Sequence, residues 1–304
     1  MMLIQVTKIG FRILLGAMFV FSGLIKLYPI ETFELTFVDL GVASWSFAPF
    51  MARLLISLEV GVGALLIVGA WKKRILQVAL GLLGLFTLYL IYLLVAKGND
   101  VNCGCFGEAI PMTPIESLLK NALFAAMCIG LVLFDKVRET LKWQTWVGGF
   151  LVLFSIAIPF VLNPVKLSDN VHASVEPFEL DITDIPKHFI DGDSLALTDG
   201  EVIVAFFSVS CKHCKNVAYK LSIAQEKYDL PRIVTVFIGK EEKLPNFWKD
   251  SNSNFPHVFF KDKRVFKITS GKFPTIMHIK EGLVINHWTG STFTYEEVEK
   301  LSLR

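Results

Sequence analysis

Four of the five cysteines in this 304-residue chain fall in two close pairs, Cys211-Lys212-His213-Cys214 and Cys103-Gly104-Cys105. The first follows an apolar, β-rich run, Val202 to Phe207, and precedes a stretch that reads as a helix. Two thiols separated by two residues at a strand-to-helix junction suit thiol–disulfide exchange. The helix N-terminus supplies partial positive charge, and Lys212, His213 and Lys215 add to that field, so Cys211 is expected to ionise readily and act as the attacking thiolate. Cys214, one turn further on, would resolve the mixed disulfide. Half of a zinc site is the alternative; no other CxxC exists to complete it, although the scattered His257, His278 and His287 keep that reading open. In the second pair, Gly104 permits the tight backbone that a CxC disulfide needs, and so small a ring should exchange easily. A copper or zinc site and two unpaired structural thiols remain open for that pair, although no histidine precedes His172.

Around Cys211 and Cys214 the chain has the elements to hold them. Arg232 to Ile238 reads as a second buried strand, and Thr275 to Lys280 and Leu283 to Trp288, separated by Glu281-Gly282, read as a hairpin introduced by Phe273-Pro274. An amphipathic run, Tyr295 to Leu301, closes the chain as a helix. This order over residues 196–304 resembles the α/β thioredoxin fold. The resemblance implies that Pro274 is a cis-proline facing the disulfide. It also implies a buried acid six residues before the first cysteine, where this chain has Ala205, so no base for Cys214 is identified. The Lys212-His213 pair replaces the Gly-Pro of thioredoxin, and a histidine before the second cysteine is similar to disulfide isomerases and periplasmic oxidases. A cation at His213 favours the thiolate and makes the pair more oxidising, unless His213 is a solvated loop residue.

The remainder is a membrane protein by composition. Hydrophobic residues make up 53% of the chain, and the net charge of +2 without a basic stripe argues against nucleic acid. The apolar excess lies in residues 1–163, where five runs can cross a bilayer: Ile9 to Tyr28, Pro49 to Ala70, Ile75 to Ala96, Pro114 to Phe134 and Thr145 to Leu162. The first lacks a small-residue cleavage site and reads as a retained anchor. Lys8, Lys72-Lys73-Arg74 and Lys136, Arg138 and Lys142 mark cytoplasmic segments, with Trp143 and Trp146 at the inner interface. The loops Pro29 to Ala48 and Lys97 to Thr113 and everything after Asn163 then face outward, where disulfides persist. Residues 164–195 read as a linker and lead-in, with Pro164, Pro177 and Pro186 and an acidic stretch, Glu176 to Asp184. Glu59, inside the second span, requires a partner or a role; Arg12 and Lys26 are the candidates, as an ion pair or a proton relay. Cys128 reads as a small packing residue.

Arg12, Gly16, Phe19, Ser22-Gly23 and Lys26, then Glu59 and Gly63, then Cys-Gly-Cys-Phe-Gly from Cys103, are similar to the DoxX/MauE membrane family over residues 5–135, and the cysteine motif points to its MauE branch. That family is thought to help form disulfides alongside a separate thioredoxin-like partner, so the chain resembles such a pair fused into one polypeptide. In architecture it resembles, more distantly, the quinone-linked disulfide enzymes DsbB and VKOR, an analogy of fold alone. The resemblance implies a multi-pass protein of the bacterial cytoplasmic membrane, with residues 1–163 the DoxX/MauE-like helical bundle and residues 196–304 extracytoplasmic. Its expected activity is thiol–disulfide oxidoreduction, with Cys211, Cys214, Cys103 and Cys105 as redox centres and His213 and Pro274 beside them. Partners are lipid and client proteins bearing cysteine thiols, and the expected electron acceptor is a quinone, for which the sequence holds no binding motif. Reduction or isomerisation supplied by another partner, and a non-catalytic assembly factor or metal chaperone, are the competing functions.

Overall fold

The apolar runs fold into helices because each buries its own backbone polar groups, as a bilayer demands. In the computed structural model, which describes residues 2–108, 110, 112–134, 141–165, 177–179, 200–260, 264–290 and 292–302, five helices are long and apolar enough to cross a membrane. They are α1 (Met2–Ile25), α3 (Ala48–Val68), α4 (Lys72–Lys97), α5 (Pro114–Phe134) and α6 (Lys142–Leu162). Most of the segment read as a linker, together with Lys136, Arg138 and Arg304, lies outside the described residues. The chain forms two compact units, Met1–Val165 and Lys166–Arg304.

In the membrane unit α1 and α3 approach at glycines. A Cβ on Gly16 would lie 2.6 Å from the Gly63 carbonyl oxygen, one on Gly63 would lie 2.6 Å from that of Gly16, and one on Gly23 would meet Val60 at 2.7 Å. Small residues let helices pack backbone to backbone in a lipid solvent that gives no hydrophobic drive. Between α3 and α4 the chain turns sharply through Gly69 at φ +76°, against which the Arg12 guanidinium packs.

The segment after Pro29, expected as an outward loop, contains a further helix, α2 (Ile30–Asp39). Tertiary ion pairs hold it. Buried Glu34 meets Arg53 of α3 at 2.6 Å, and Asp39 meets Lys97 at the end of α4 at 2.5 Å.

The second unit is built on a six-stranded sheet in the order β2-β7-β6-β3-β4-β5, where β2 is Phe178–Glu179, β3 Glu201–Ser208, β4 Arg232–Ile238, β5 His257–Phe259, β6 Thr275–Lys280 and β7 Leu283–Thr289. A further short strand, β1 (Cys105–Glu108), belongs to the membrane unit. β3, β4 and β5 run parallel, whereas β6 and β7 are antiparallel additions on the other side of β3. Alternate residues of the central strands fill two faces, which is why they read as continuous apolar runs. Val204, Phe206, Val236 and Met277 pack in one core cluster, while Phe207, Phe237 and Phe247 form an aromatic one. Helices α7 (Lys212–Lys227), α8 (Leu244–Ser251), α9 (Arg264–Ile268) and α10 (Tyr295–Ser302) complete the unit. Parallel β3–α7–β4 followed by an antiparallel hairpin is the thioredoxin-like topology; α8 and β5 extend it at one edge.

Candidate functional site

In the soluble unit β3 delivers Cys211 to the start of α7. Cys211 is the N-cap residue, its sulfur accepting the Cys214 N–H at 3.3 Å, so the thiol replaces the serine or aspartate usual at that position. Cys214 is fully buried, and its sulfur accepts the Ser208 N–H at 3.5 Å; Cys211 is half-exposed. The Phe273–Pro274 peptide bond is cis, and the Cys211 thiol lies 3.9 Å from the Phe273 carbonyl oxygen. Cys211, Cys214 and Pro274 therefore converge, with His213 on the exposed first turn of α7.

Electrostatics separate the two thiols. Cys211 is lowered to about 6, first by its hydrogen bond with the Cys214 thiol, then by the Cys214 backbone N–H and by the charge of His213. Burial, followed by the proximity of Cys211, raises Cys214. Lys215, expected to strengthen the field, is engaged with Asp250 of α8 at 2.6 Å. Ala205, where the resemblance implies an acid, is completely buried.

In the membrane unit the loop after α4 closes on itself. Asn102 Oδ1 accepts the N–H of Gly104 at 3.1 Å and that of Met112 at 3.4 Å, the Cys103 N–H donates to the Met112 carbonyl at 3.0 Å, and Tyr89 donates to the Cys103 carbonyl at 3.1 Å. Gly104 sits at φ +67°, a conformation that favours glycine, so the turn between the cysteines depends on it. Cys103 is 2% exposed and shares a 2.9 Å hydrogen bond with the Ser117 hydroxyl of α5; Cys105 is half-buried. All five cysteines are free in this structure.

Beneath the loop lies a polar cluster. Lys26 Nζ donates to both Glu59 oxygens at 2.6 Å and to Ser22 Oγ at 3.2 Å, with the Phe33 and Phe86 rings about it. Ser22 Oγ in turn lies 3.3 Å from Glu59 Oε1 and 3.3 Å from the Cys105 carbonyl. Of the two candidates for Glu59, Lys26 is thus the partner, whereas Arg12 faces Gly69. A cavity adjoins this cluster, lined by Phe19, Phe86, Phe106 and Phe124 with Glu59 and Lys120 among its polar groups. Lys120 of α5 was not singled out from sequence; its position inside an apolar span is the signal that finds it. Cys105 is lowered to about 6, first by its hydrogen bond with the Cys103 thiol and then by the charges of Lys120 and Lys26. Cys103 is raised by that same bond and by burial.

Cys128 is fully buried in the apolar cluster of α1, α3, α4 and α5. His278 is buried and pairs with Glu201 at 2.6 Å, and His257 packs among Phe237, Trp248 and Phe259. Among the described residues no three His, Cys, Asp or Glu side chains gather as metal ligands would.

Residues 3–134 match the family model described as methylamine utilisation protein MauE. Protein TlpB of Flavobacterium psychrophilum is 26% identical over 339 residues, covering 93% of this chain and 89% of that protein. Solved structures similar to part of the chain include StoA from Bacillus subtilis, at 18% identity and TM-score 0.33, covering 41% of this chain and 96% of StoA. A thiol:disulfide interchange protein DsbE from Chlorobium tepidum, so described provisionally, matches at 18% identity and TM-score 0.32, covering 43% of this chain and 96% of that one. Strand order and the placing of Cys211, Cys214 and Pro274, rather than these scores, identify the thioredoxin-like fold. The chain thus joins a multi-pass membrane segment that is similar to MauE over residues 3–134 to a domain of thioredoxin-like topology.

Proposed function

We propose that this protein is a membrane-bound thiol–disulfide oxidoreductase that takes electrons from extracytoplasmic client thiols through Cys211/Cys214 to Cys103/Cys105 and on to a quinone. The observation that carries this reading is that each pair sets two thiols within hydrogen-bond reach, a partly exposed residue whose thiol is lowered in pKa and a buried one whose thiol is raised. One partner of each pair can attack, and the other can close the disulfide behind it. His213 favours the Cys211 thiolate, and the Phe273 carbonyl that precedes Pro274 lies beside the thiol.

The cysteines available support this direction. A conduit carrying electrons outward from the cytoplasm needs thiols reachable from inside, and Cys128 is fully buried in an apolar cluster. Lys8, Lys72, Lys73 and Arg74 support an inside N-terminus, which puts both cysteine pairs outside. Reoxidation of a dithiol releases two electrons and two protons, the stoichiometry of quinone reduction to quinol.

The test is quinone reduction by the purified, reduced protein in lipid. Turnover that stops in Cys103→Ser and in Cys105→Ser is the expected result. No quinol formation, with Cys211 and Cys214 held reduced in intact cells, would assign the protein to reduction or isomerisation instead.

A further inference from the structure

The two cysteines of the Cys103-Gly104-Cys105 turn are not equivalent, and the charges around them say which one exchanges. Cys103 is buried against Leu90 and Leu93 and shares its hydrogen bond with Ser117. Cys105 is the more open of the two and begins β1, with its carbonyl anchored by Ser22. The groups facing it come from several elements: Ser22 from α1 and Lys26 just past its end, Glu59 from α3, Tyr89 from α4, and Lys120 with Ser117 from α5. Asp39 of α2 acts on Tyr89 and is held by Lys97.

Charge balance singles out one of these. Lys26 and Glu59 neutralise one another through both carboxylate oxygens. Lys120 Nζ lies 4.0 Å from the centre of the Phe106 ring, beside Cys105, and among the described residues it forms no ion pair. A lysine within an apolar span is costly unless an anion or a polar pocket answers it. The cluster thus holds one net positive charge next to a cysteine, and its complement is a thiolate.

We propose that Cys105 is the exchanging sulfur of the membrane pair, that Cys103 is its internal resolving thiol, and that Lys120 is the positioning cation that holds Cys105 as the thiolate. The assignment rests on the relay proposed above. The Cys211 thiolate attacks the Cys105 sulfur of the Cys103–Cys105 disulfide; a Cys211–Cys105 bond forms, the Cys103–Cys105 bond breaks, and Cys103 leaves with the electron pair. Cys214 then gives up its proton and attacks Cys211, closing Cys211–Cys214 and expelling Cys105 as a thiolate beside Lys120. Cys211/Cys214 loses two electrons and Cys103/Cys105 gains two. The proton lost by Cys214 is matched by the one Cys103 takes up next to Ser117, so the exchange is neutral in protons. A thiolate leaves faster the lower its pKa, so the second step draws on the same cation.

Two measurements on the full chain in lipid test this. Reduced protein is alkylated across a pH series, and the modified cysteine is located by peptide fragmentation between residues 103 and 105. Cys105 should react first, with a midpoint near 6; Lys120→Met should move that midpoint up by about one to three pH units, and Lys120→Arg should restore it. Alkylation of Cys103 first in the unaltered chain, or a Lys120→Met profile that does not move, overturns the assignment. Second, Cys214→Ser protein quenched in acid should contain Cys211 joined to Cys105, with Cys103 free. Cys211 joined to Cys103 overturns the assignment and leaves the relay standing, whereas no bond between the two pairs overturns the relay as well.

Discussion

Substitution of Glu59 tests whether the Lys26–Glu59 pair is structural. Both side chains are nearly inaccessible, at 3% and 2%, and Lys26 reaches both carboxylate oxygens at 2.6 Å. Glu59→Ala strands an ammonium whose remaining neighbours are the Ser22 hydroxyl and the faces of Phe33 and Phe86. Those ring contacts exist before the substitution too, so they do not offset the loss. Breaking one side of a buried pair costs about 3–5 kcal/mol, or roughly a hundredfold to a few thousandfold in the unfolding equilibrium. Replacing both partners, as in Lys26→Met with Glu59→Leu, removes the stranded charge along with the pair, and the double variant should lie within about 1–2 kcal/mol of the original chain. Unfolding of the membrane unit can be followed in a denaturing-detergent titration by the reactivity of Cys128, which is fully buried in that unit. A structural pair also predicts that the double variant still passes electrons between the cysteine pairs. A cost below about 1 kcal/mol for Glu59→Ala, or a double variant as unstable as the single, would refute the reasoning; a stable but inactive double variant would make Glu59 a proton carrier.

Three other outcomes follow from the same geometry. Cys211 is lowered to about 6 from an ordinary 9.0, so its contribution to reduced-state stability is complete above 9 and is lost as pH falls through 6; thermal unfolding of reduced protein relative to oxidised protein should therefore improve as pH rises from 6 to 9, and a flat difference would contradict the lowered thiol. His213→Ala removes one favourable charge at the thiolate, worth on the order of 1 kcal/mol, and should make the pair less oxidising by about 20–30 mV in a glutathione titration, an unchanged potential leaving His213 as a surface residue. With Cys103 as the lone cysteine and the turn opened by Gly104→Val, a β-branched residue that the left-handed backbone there excludes, a membrane-impermeant thiol reagent should label unbroken cells, whereas labelling only after permeabilisation would reverse the orientation read from Lys72, Lys73 and Arg74.

The thioredoxin-like core was legible because its strands are short, continuously apolar and bounded by turns, so Arg232–Ile238 and Thr275–Lys280 appear in the sequence with the ends they have in the structure. The spans were legible for a related reason, since few other segments need so many consecutive apolar residues. Helix α2 escaped this reading. Its ten residues are too few for a span, and Glu31, Glu34 and Asp39 give it the look of a loop until Arg53 and Lys97, distant in sequence, are brought to it. Strand β5 escaped for want of length, with only three residues. Lys120 was hidden because a single lysine barely lowers the mean hydropathy of α5, although the rule that drew attention to Glu59 applies to it equally. The choice between Arg12 and Lys26 also required the fold. Arg12 lies within α1 and Lys26 just past its end, fourteen residues on and about 21 Å along the axis at helical rise, and either is a plausible partner until the register against α3 is known. Gly16 against Gly63 sets that register, placing Arg12 at the Gly69 turn and Lys26 level with Glu59.

That register has a consequence for the chemistry. Because α1 and α3 run antiparallel at glycine distance, the end of α1 that carries Ser22 and Lys26 is also the end that meets the cysteine turn, and Ser22 binds Glu59 and the Cys105 backbone together. The ion pair is therefore the floor beneath the cysteine turn, and Ser22 is the side chain that joins it to the Cys105 backbone. Lys26 and Glu59 cancel as charges, so the floor is electrically neutral and the cation next to Cys105 is supplied from α5 instead. Support and charge thus come from different helices. A variant of Ser22 should disturb where Cys105 sits, and a variant of Lys120 should disturb its charge.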